Sequence, residues 1–226
     1  MDKLVAERGY AVEATLRRVR DDIISGRYAP NSKLYPKQIA EELGTSFIPV
    51  REALRVLESE GFVTFVNNRG TWVTPITLAD ARDLYATRIE LEAQAVRIAE
   101  PFSATEIDAL EGILEDLRRG NAANDHDRVV DLNREFHFSL YRKSNSPRRL
   151  GLIELLWFHS ERYQRMSIDH RHDAADAEHH AIVDALRDGD HEAAGDALGA
   201  HLQTTIDLLA ANFVEDAAGS EVSPHD

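Results

Sequence analysis

Three of the ten histidines fall on apolar helical stripes rather than on polar ones. His137 lies in "VVDLNREFHFSLY", where Val130, Asn133, Leu140 and Tyr141 share its face. Asn133, four residues before it, is rotated only about 40° around a helix axis, whereas Asp131 is about 120° away. In "AEHHAIVDAL", His179 shares a stripe with Ile182, Val183 and Leu186, and His180 is displaced towards the polar side. In "EAAGDALGAHLQTTIDLL", His201 falls with Ala194, Ala197, Leu198, Thr205 and Leu208. A hydrogen-bonded core histidine accounts for any one of these alone. Three imidazoles and one amide oxygen, from three helices and all facing inward, form a ligand set suited to Zn, Ni, Mn or Fe. His126 and His159 have no partner pattern, and His170 and His172 read as solvent-exposed.

A second set of chemistry-bearing residues lies near the N-terminus. "SFIPVREALRVLESEGFV", residues 46–63, reads as a helix capped by Ser46 with Pro49 in its first turn, where amides have no intrahelical partner. Arg51 and Arg55, four apart, share one face, while Ala53, Leu54 and Leu57 form the buried stripe. Lys37 opens the preceding helix, and Arg69 and Gly70 lie at a turn suited to a minor-groove or phosphate contact. An amphipathic helix can carry arginines merely for solvation. Their combination with the surrounding elements points to a DNA contact surface.

Those elements follow from periodicity. Helices are expected over 11–25, 36–43 and 46–60, stopped by Gly26, Gly44 and Gly61. Phe62, Thr64 and Val66 then alternate, Asn67-Asn68-Arg69-Gly70 turns, and Thr71–Thr74 alternates again, a β-hairpin. Three helices and a hairpin make a winged helix-turn-helix, predicted as a DNA-binding domain over 1–76. Residues 77–214 are predicted as an antiparallel all-α bundle, with helices at 78–100, 104–119, 125–144, 147–167, 174–188 and 191–214. Ser103-Ala-Thr-Glu106 is a capping box. The segment 215–226 is expected to be disordered. The fold class is mainly α.

Composition narrows the function classes. Without cysteine there is no disulfide, thiolate ligand or cysteine nucleophile. No signal peptide and no apolar run long enough for a membrane span is visible, so a cytoplasmic protein is expected. The net charge of -14 is uneven: residues 1–76 hold 11 basic and 10 acidic side chains, and residues 77–226 hold 15 and 30. DNA contact is thereby confined to the N-terminal part.

The segments "IISGRYAPNSKL", "IAEELGTSFIPVREALRVLESEGFV" and "NRGTWVTP" resemble the DNA-binding domain of the GntR family of bacterial transcriptional regulators. The resemblance implies contacts from Lys37, Ser46, Phe47, Ile48, Pro49, Arg51, Arg55, Arg69 and Gly70. Lys37 replaces an arginine usual in the family and reads guanine less specifically, and Phe47-Ile48 replaces Arg-Thr with side chains that cannot hydrogen-bond to a base. "LYATRIELEAQAVRIAE", "NREFHFSLYRKSNSPRRL" and "EHHAIVDALRDGDHEAAGDAL" resemble the FCD ligand-binding domain of the FadR subfamily. That likeness implies a divalent metal held by one Asp and three His. His137, His179 and His201 match the histidines, and Asn133 stands at the Asp position, removing one negative charge.

The likeness further implies an effector near Arg88, with Arg162 and Tyr163 as weaker candidates; Arg88 is also four residues from Glu92, the spacing of an intrahelical ion pair. The expected function is a ligand-responsive homodimeric regulator, a repressor, binding a two-fold symmetric DNA operator and sensing a small carboxylate at the metal. Absence of HExxH and of a carboxylate placed as general base argues against the alternative of a metal-dependent hydrolase. The other alternative is a DNA-binding protein whose bundle only dimerises.

Overall fold

The computed structural model describes residues 2–164 and 172–220; the expected end of the 147–167 helix, His170, the side chain of His172 and residues 221–226 lie outside what it describes. The chain divides into two compact units, Met1–Thr77 and Leu78–Asp226, one residue beyond the expected boundary.

The first unit contains α1 (Asp2–Ile24), β1 (Lys33–Leu34), α2 (Pro36–Glu42), α3 (Phe47–Ser59), β2 (Val63–Val66) and β3 (Gly70–Val73). α1 starts well before the expected Ala11, because residues 2–10 hold no proline and a single glycine to stop helix propagation. Its Val19, Ile23 and Ile24 are buried with Val50, Ala53, Leu54 and Leu57 of α3, against which α1 packs. Arg20 of α1 forks onto Glu60 at 2.8 and 2.7 Å.

The turn between α2 and α3 is set by Gly44 at φ 60°. Thr45 N–H donates to Ala40 O (3.0 Å) and Gly44 N–H to Glu41 O (3.2 Å), the paired bonds of a Schellman stop. α3 ends in the same way at Gly61, φ 83°, with Phe62 N–H on Leu57 O at 2.9 Å. Both glycines take left-handed backbone that a side chain would strain.

At the start of α3 the expectation needs correcting. Ser46 occupies the N-cap position, yet its hydroxyl makes no capping hydrogen bond. A cap serine bonds the second or third helical N–H, and the third residue is Pro49, which has none. The hairpin forms as expected, with Val63 opposite Val73 and Val66 opposite Gly70. The short strand β1 was not expected. It pairs with β3 on the side away from β2, giving the order β1-β3-β2.

The second unit is all helical among the described residues: α4 (Leu78–Arg97), α5 (Ala104–Ala122), α6 (His126–Arg142), α7 (Pro147–Gln164), α8 (His172–Arg187) and α9 (His191–Ser220). α9 packs on α4 and α8, α5 on α6 and α8, and α7 on α4. The predicted capping box at α5 is complete: Ser103 accepts from Glu106 N–H, and Glu106 accepts from Ser103 N–H at 2.8 Å. α9 runs to Ser220, past the expected stop at 214. "LAANFVEDAA" is rich in helix formers and no proline lies between Pro147 and Pro224, so the predicted disorder of 215–220 is not what the backbone adopts.

Candidate metal and effector centre

The helical stripes bring the three histidines together. His137 on α6, His179 on α8 and His201 on α9 are 1%, 5% and 5% exposed. One ring nitrogen from each lies within 4.8 Å of the others. His180 points away: it is exposed and its Nδ1 bonds the Asp176 carbonyl at 2.8 Å. The three imidazoles line a cavity of about 130 Å³ together with Asn133, Arg88 and Trp157.

Hydrogen bonds around the imidazoles decide which nitrogen each can offer. The Tyr141 hydroxyl donates to Glu92 Oε2 at 2.5 Å. Burial, and then the Glu92 charge, push the Tyr141 pKa well above the ordinary phenol value, so the proton stays on the phenol. Its oxygen is then the acceptor for His137 Nδ1, 3.1 Å away. That fixes the Nδ1–H tautomer of His137 and leaves Nε2 for a metal. His201 Nδ1 faces Glu178 Oε2 at 2.8 Å; an ionised carboxylate only accepts, so His201 carries its proton there and offers Nε2 as well.

The residues fit a divalent ion. Metal–imidazole bonds are about 2.0–2.1 Å, and three buried nitrogens within 4.8 Å of one another are grouped closely enough to be drawn onto one centre. Asn133 is half-buried and lines the same cavity, where its side chain could offer a neutral amide oxygen.

Arg88 is an ion-pair partner and a cavity residue at once. It is 1% exposed, and its Nε and Nη2 donate to Glu92 at 2.7 and 3.2 Å. Burial opposes its charge, but the Glu92 carboxylate and its hydrogen bond outweigh that, and the guanidinium pKa is raised. Arg88, Glu92, Tyr141 and His137 therefore form one continuous chain of hydrogen bonds from the cavity arginine to an imidazole of the histidine cluster.

Arg162 and Tyr163 are not part of this site. Both are buried on α7, but neither lines the cavity, and the Tyr163 hydroxyl donates to Asp80 on α4. Helical phase puts them on an inward face; which neighbour they meet is set by the packing of α7 on α4. Glu92, Tyr141, Glu178 and Trp157 act at the site, although only the i+4 spacings of Glu92 from Arg88 and Tyr141 from His137 hinted at them.

In the first unit Lys37, Arg51, Arg55 and Arg69 are all exposed. Among the described residues none of the four has an acidic partner, whereas Arg20 and Arg27 nearby are bound to Glu60 and Glu42. Phe47 and Ile48 are 42% and 55% exposed, and the Arg51 guanidinium lies 5.7 Å from the Phe47 ring centroid. Phe47 thus packs beneath an arginine of the same helix face.

Comparison with known proteins agrees with both units. Residues 11–73 match the bacterial regulatory proteins of the gntR family, and residues 83–204 match the FCD domain. An uncharacterized HTH-type transcriptional regulator of Paraburkholderia xenovorans, BphR, is 30% identical over 88% of this chain and 84% of its own. The probable D-xylose utilization operon transcriptional repressor of Paenarthrobacter nicotinovorans is 30% identical over 89% and 92%. The E. coli McbR/YncC structure shares the fold, with a TM-score of 0.77 and 24% identity over 90% of this chain and 98% of that one. A winged helix-turn-helix followed by an all-helical FCD bundle is the layout of a bacterial transcriptional regulator. This chain belongs to the GntR family of bacterial transcriptional regulators and carries an FCD domain; it is a regulator and not an enzyme.

Proposed function

We propose that the protein is a cytoplasmic, FadR-type homodimeric repressor that binds a two-fold symmetric operator and releases or retains it according to a small carboxylate effector. The effector docks in the α4–α9 bundle between Arg88 and a divalent metal held by Asn133, His137, His179 and His201. The observation that carries this reading is the buried three-histidine cluster opening onto a cavity that a buried arginine also lines. A bundle serving only to dimerise has no need of polar groups withdrawn from water in this way. A bound metal would supply a Lewis-acidic centre that an effector oxygen can complete.

The protein's own residues do the rest. Tyr141 and Glu178 hold two imidazoles in the ligating tautomer, and Glu92 keeps Arg88 charged and oriented. Asn133 in place of aspartate leaves the ligand set neutral, so the metal's positive charge is available to an anion. On DNA, Arg51 and Arg55 face the major groove, Lys37 and Arg69 meet flanking phosphates or base edges, and Ser46 presents an uncapped hydroxyl. Phe47 and Ile48 can only make apolar contacts, such as with a thymine methyl, so the operator differs from that of regulators with Arg-Thr there. The effector acts by binding one arrangement of the bundle better than another.

The test combines metal analysis of the purified protein with a thermal-shift screen of small carboxylates and a gel-shift titration on its promoter region. Stoichiometric metal, a carboxylate that raises Tm, and a change in DNA affinity with that carboxylate are expected. Absence of bound metal even after loading refutes the metal-dependent effector site.

A further inference from the structure

Among the described residues, two hydrogen-bond donors beside the histidine cluster have no protein acceptor. With Glu92 holding Nε and Nη2 of Arg88, the buried Nη1 is left unsatisfied. The indole Nε1 of Trp157 is also buried and unsatisfied. Each residue is 1% exposed, and both line the same cavity. Trp157 lies between the two halves of the site: its ring centroid is 4.9 Å from the Arg88 guanidinium carbon and 5.2 Å from the His137 ring. Buried donors are almost always paired, by protein, water or ligand, so two unpaired ones on residues lining one cavity point to an acceptor held there.

We propose that Arg88 Nη1 and Trp157 Nε1 form a carboxylate-reading subsite, separate from the metal, and that the effector is two-headed: a short dicarboxylate. This rests on the metal-and-carboxylate reading above and adds the second head. Glu92 takes the Nε–Nη2 edge of Arg88, and Nη1, with two N–H groups, is the terminal nitrogen left without an acceptor. Trp157 adds a further donor beside it, and the indole N–H can only donate. A carboxylate offers each donor one oxygen, while its partner carboxylate reaches the imidazole cluster. The cavity, about 130 Å³, is of the same scale as the ~150 Å³ that accommodates benzene, so a compact effector fills it. Dicarboxylates of three to five carbons are of that scale.

The test uses the metal-loaded full-length protein with malonate, succinate and glutarate, and with propionate, butyrate and valerate as single-headed controls, all by calorimetry. At least one dicarboxylate is expected to bind ten-fold or more tighter than its control. Trp157→Phe keeps the ring between Arg88 and His137 but removes the N–H. It is expected to lose at least five-fold in dicarboxylate affinity, with the monocarboxylate and metal affinities within two-fold of the parent. A second measurement avoids mutating the site: Trp72→Phe leaves Trp157 as the sole tryptophan, and its emission is expected to shift red as the dicarboxylate accepts from the indole.

If no carboxylate binds the parent, the effector reading falls and the subsite with it. If monocarboxylates bind as tightly as dicarboxylates, the second head is wrong while the effector reading stands. If dicarboxylate preference survives in Trp157→Phe and emission is unmoved, Trp157 is not the donor and the subsite is refuted.

Discussion

Replacing Tyr141 by Phe removes one oxygen and cuts the chain of hydrogen bonds at its middle. In the parent that oxygen joins His137 Nδ1, at 3.1 Å, to Glu92 Oε2, at 2.5 Å. Two effects follow. His137 loses the acceptor that selects its Nδ1–H tautomer, and loss of such an outer partner costs about 10–100-fold in metal affinity. That corresponds to ~1.4–2.7 kcal/mol. The metal-free bundle also loses stability, because the His137 N–H is left buried without its acceptor, about 1–3 kcal/mol. Glu92 keeps both bonds from Arg88, which holds this second loss towards the low end.

Competition against a chelator of known affinity gives the first quantity, and urea unfolding of the metal-free protein gives the second. Long-range proton–nitrogen NMR adds a direct readout, since His137 is expected as the Nδ1–H form in the parent and as a mixture in the variant. A merely structural hydroxyl lowers stability but leaves metal affinity and tautomer unchanged. That outcome refutes the positioning role of Tyr141.

Three further outcomes are expected. His179→Ala loses metal and His180→Ala keeps it, because His179 is 5% exposed within the cluster and His180 faces solvent; metal analysis showing the reverse refutes the assignment. Arg51→Ala weakens operator binding by about 1–3 kcal/mol in a gel-shift titration if it reads a base, and unchanged affinity removes it from the contact set. Glu106 gives a pH signature. The Lys143 hydrogen bond, and then those from the Ser103 backbone and hydroxyl, hold its pKa at about 2 against an ordinary 4.5. A depressed acid contributes stability that is complete above its unfolded value and is lost as pH falls through the folded one. The Tm gap between the parent and Glu106→Gln is therefore expected to narrow as pH drops from about 4.5 to about 2. A gap independent of pH refutes the linkage.

The order of elements was legible because local physics sets it. Glycines at 44 and 61 stop α2 and α3 through left-handed backbone, Ser103 and Glu106 close a cap three residues apart, and His137, His179 and His201 share stripes with apolar neighbours on their own helices. Each of these signals is complete within a few residues of chain. What required tertiary structure lies between residues far apart in sequence. β1 is only two residues long and exists because β3 pairs with it. Ser46 carries the right residue type for a cap, but the imino nitrogen of Pro49 removes a donor that it would have served.

The same distinction divides the site. The spacing set Arg88 four residues from Glu92, and the family resemblance drew Arg88, Arg162 and Tyr163 towards one effector pocket. Neither could say that Tyr163 would meet Asp80, or that Tyr141 would complete a link from Glu92 to His137 across 49 residues of chain. Nor does any spacing in the sequence connect Trp157 to Arg88. Periodicity determines which side of a helix is buried; only the packing of one helix on another decides what each buried polar atom finds there, and for Arg88 Nη1 and Trp157 Nε1 that packing leaves a cavity in place of a partner.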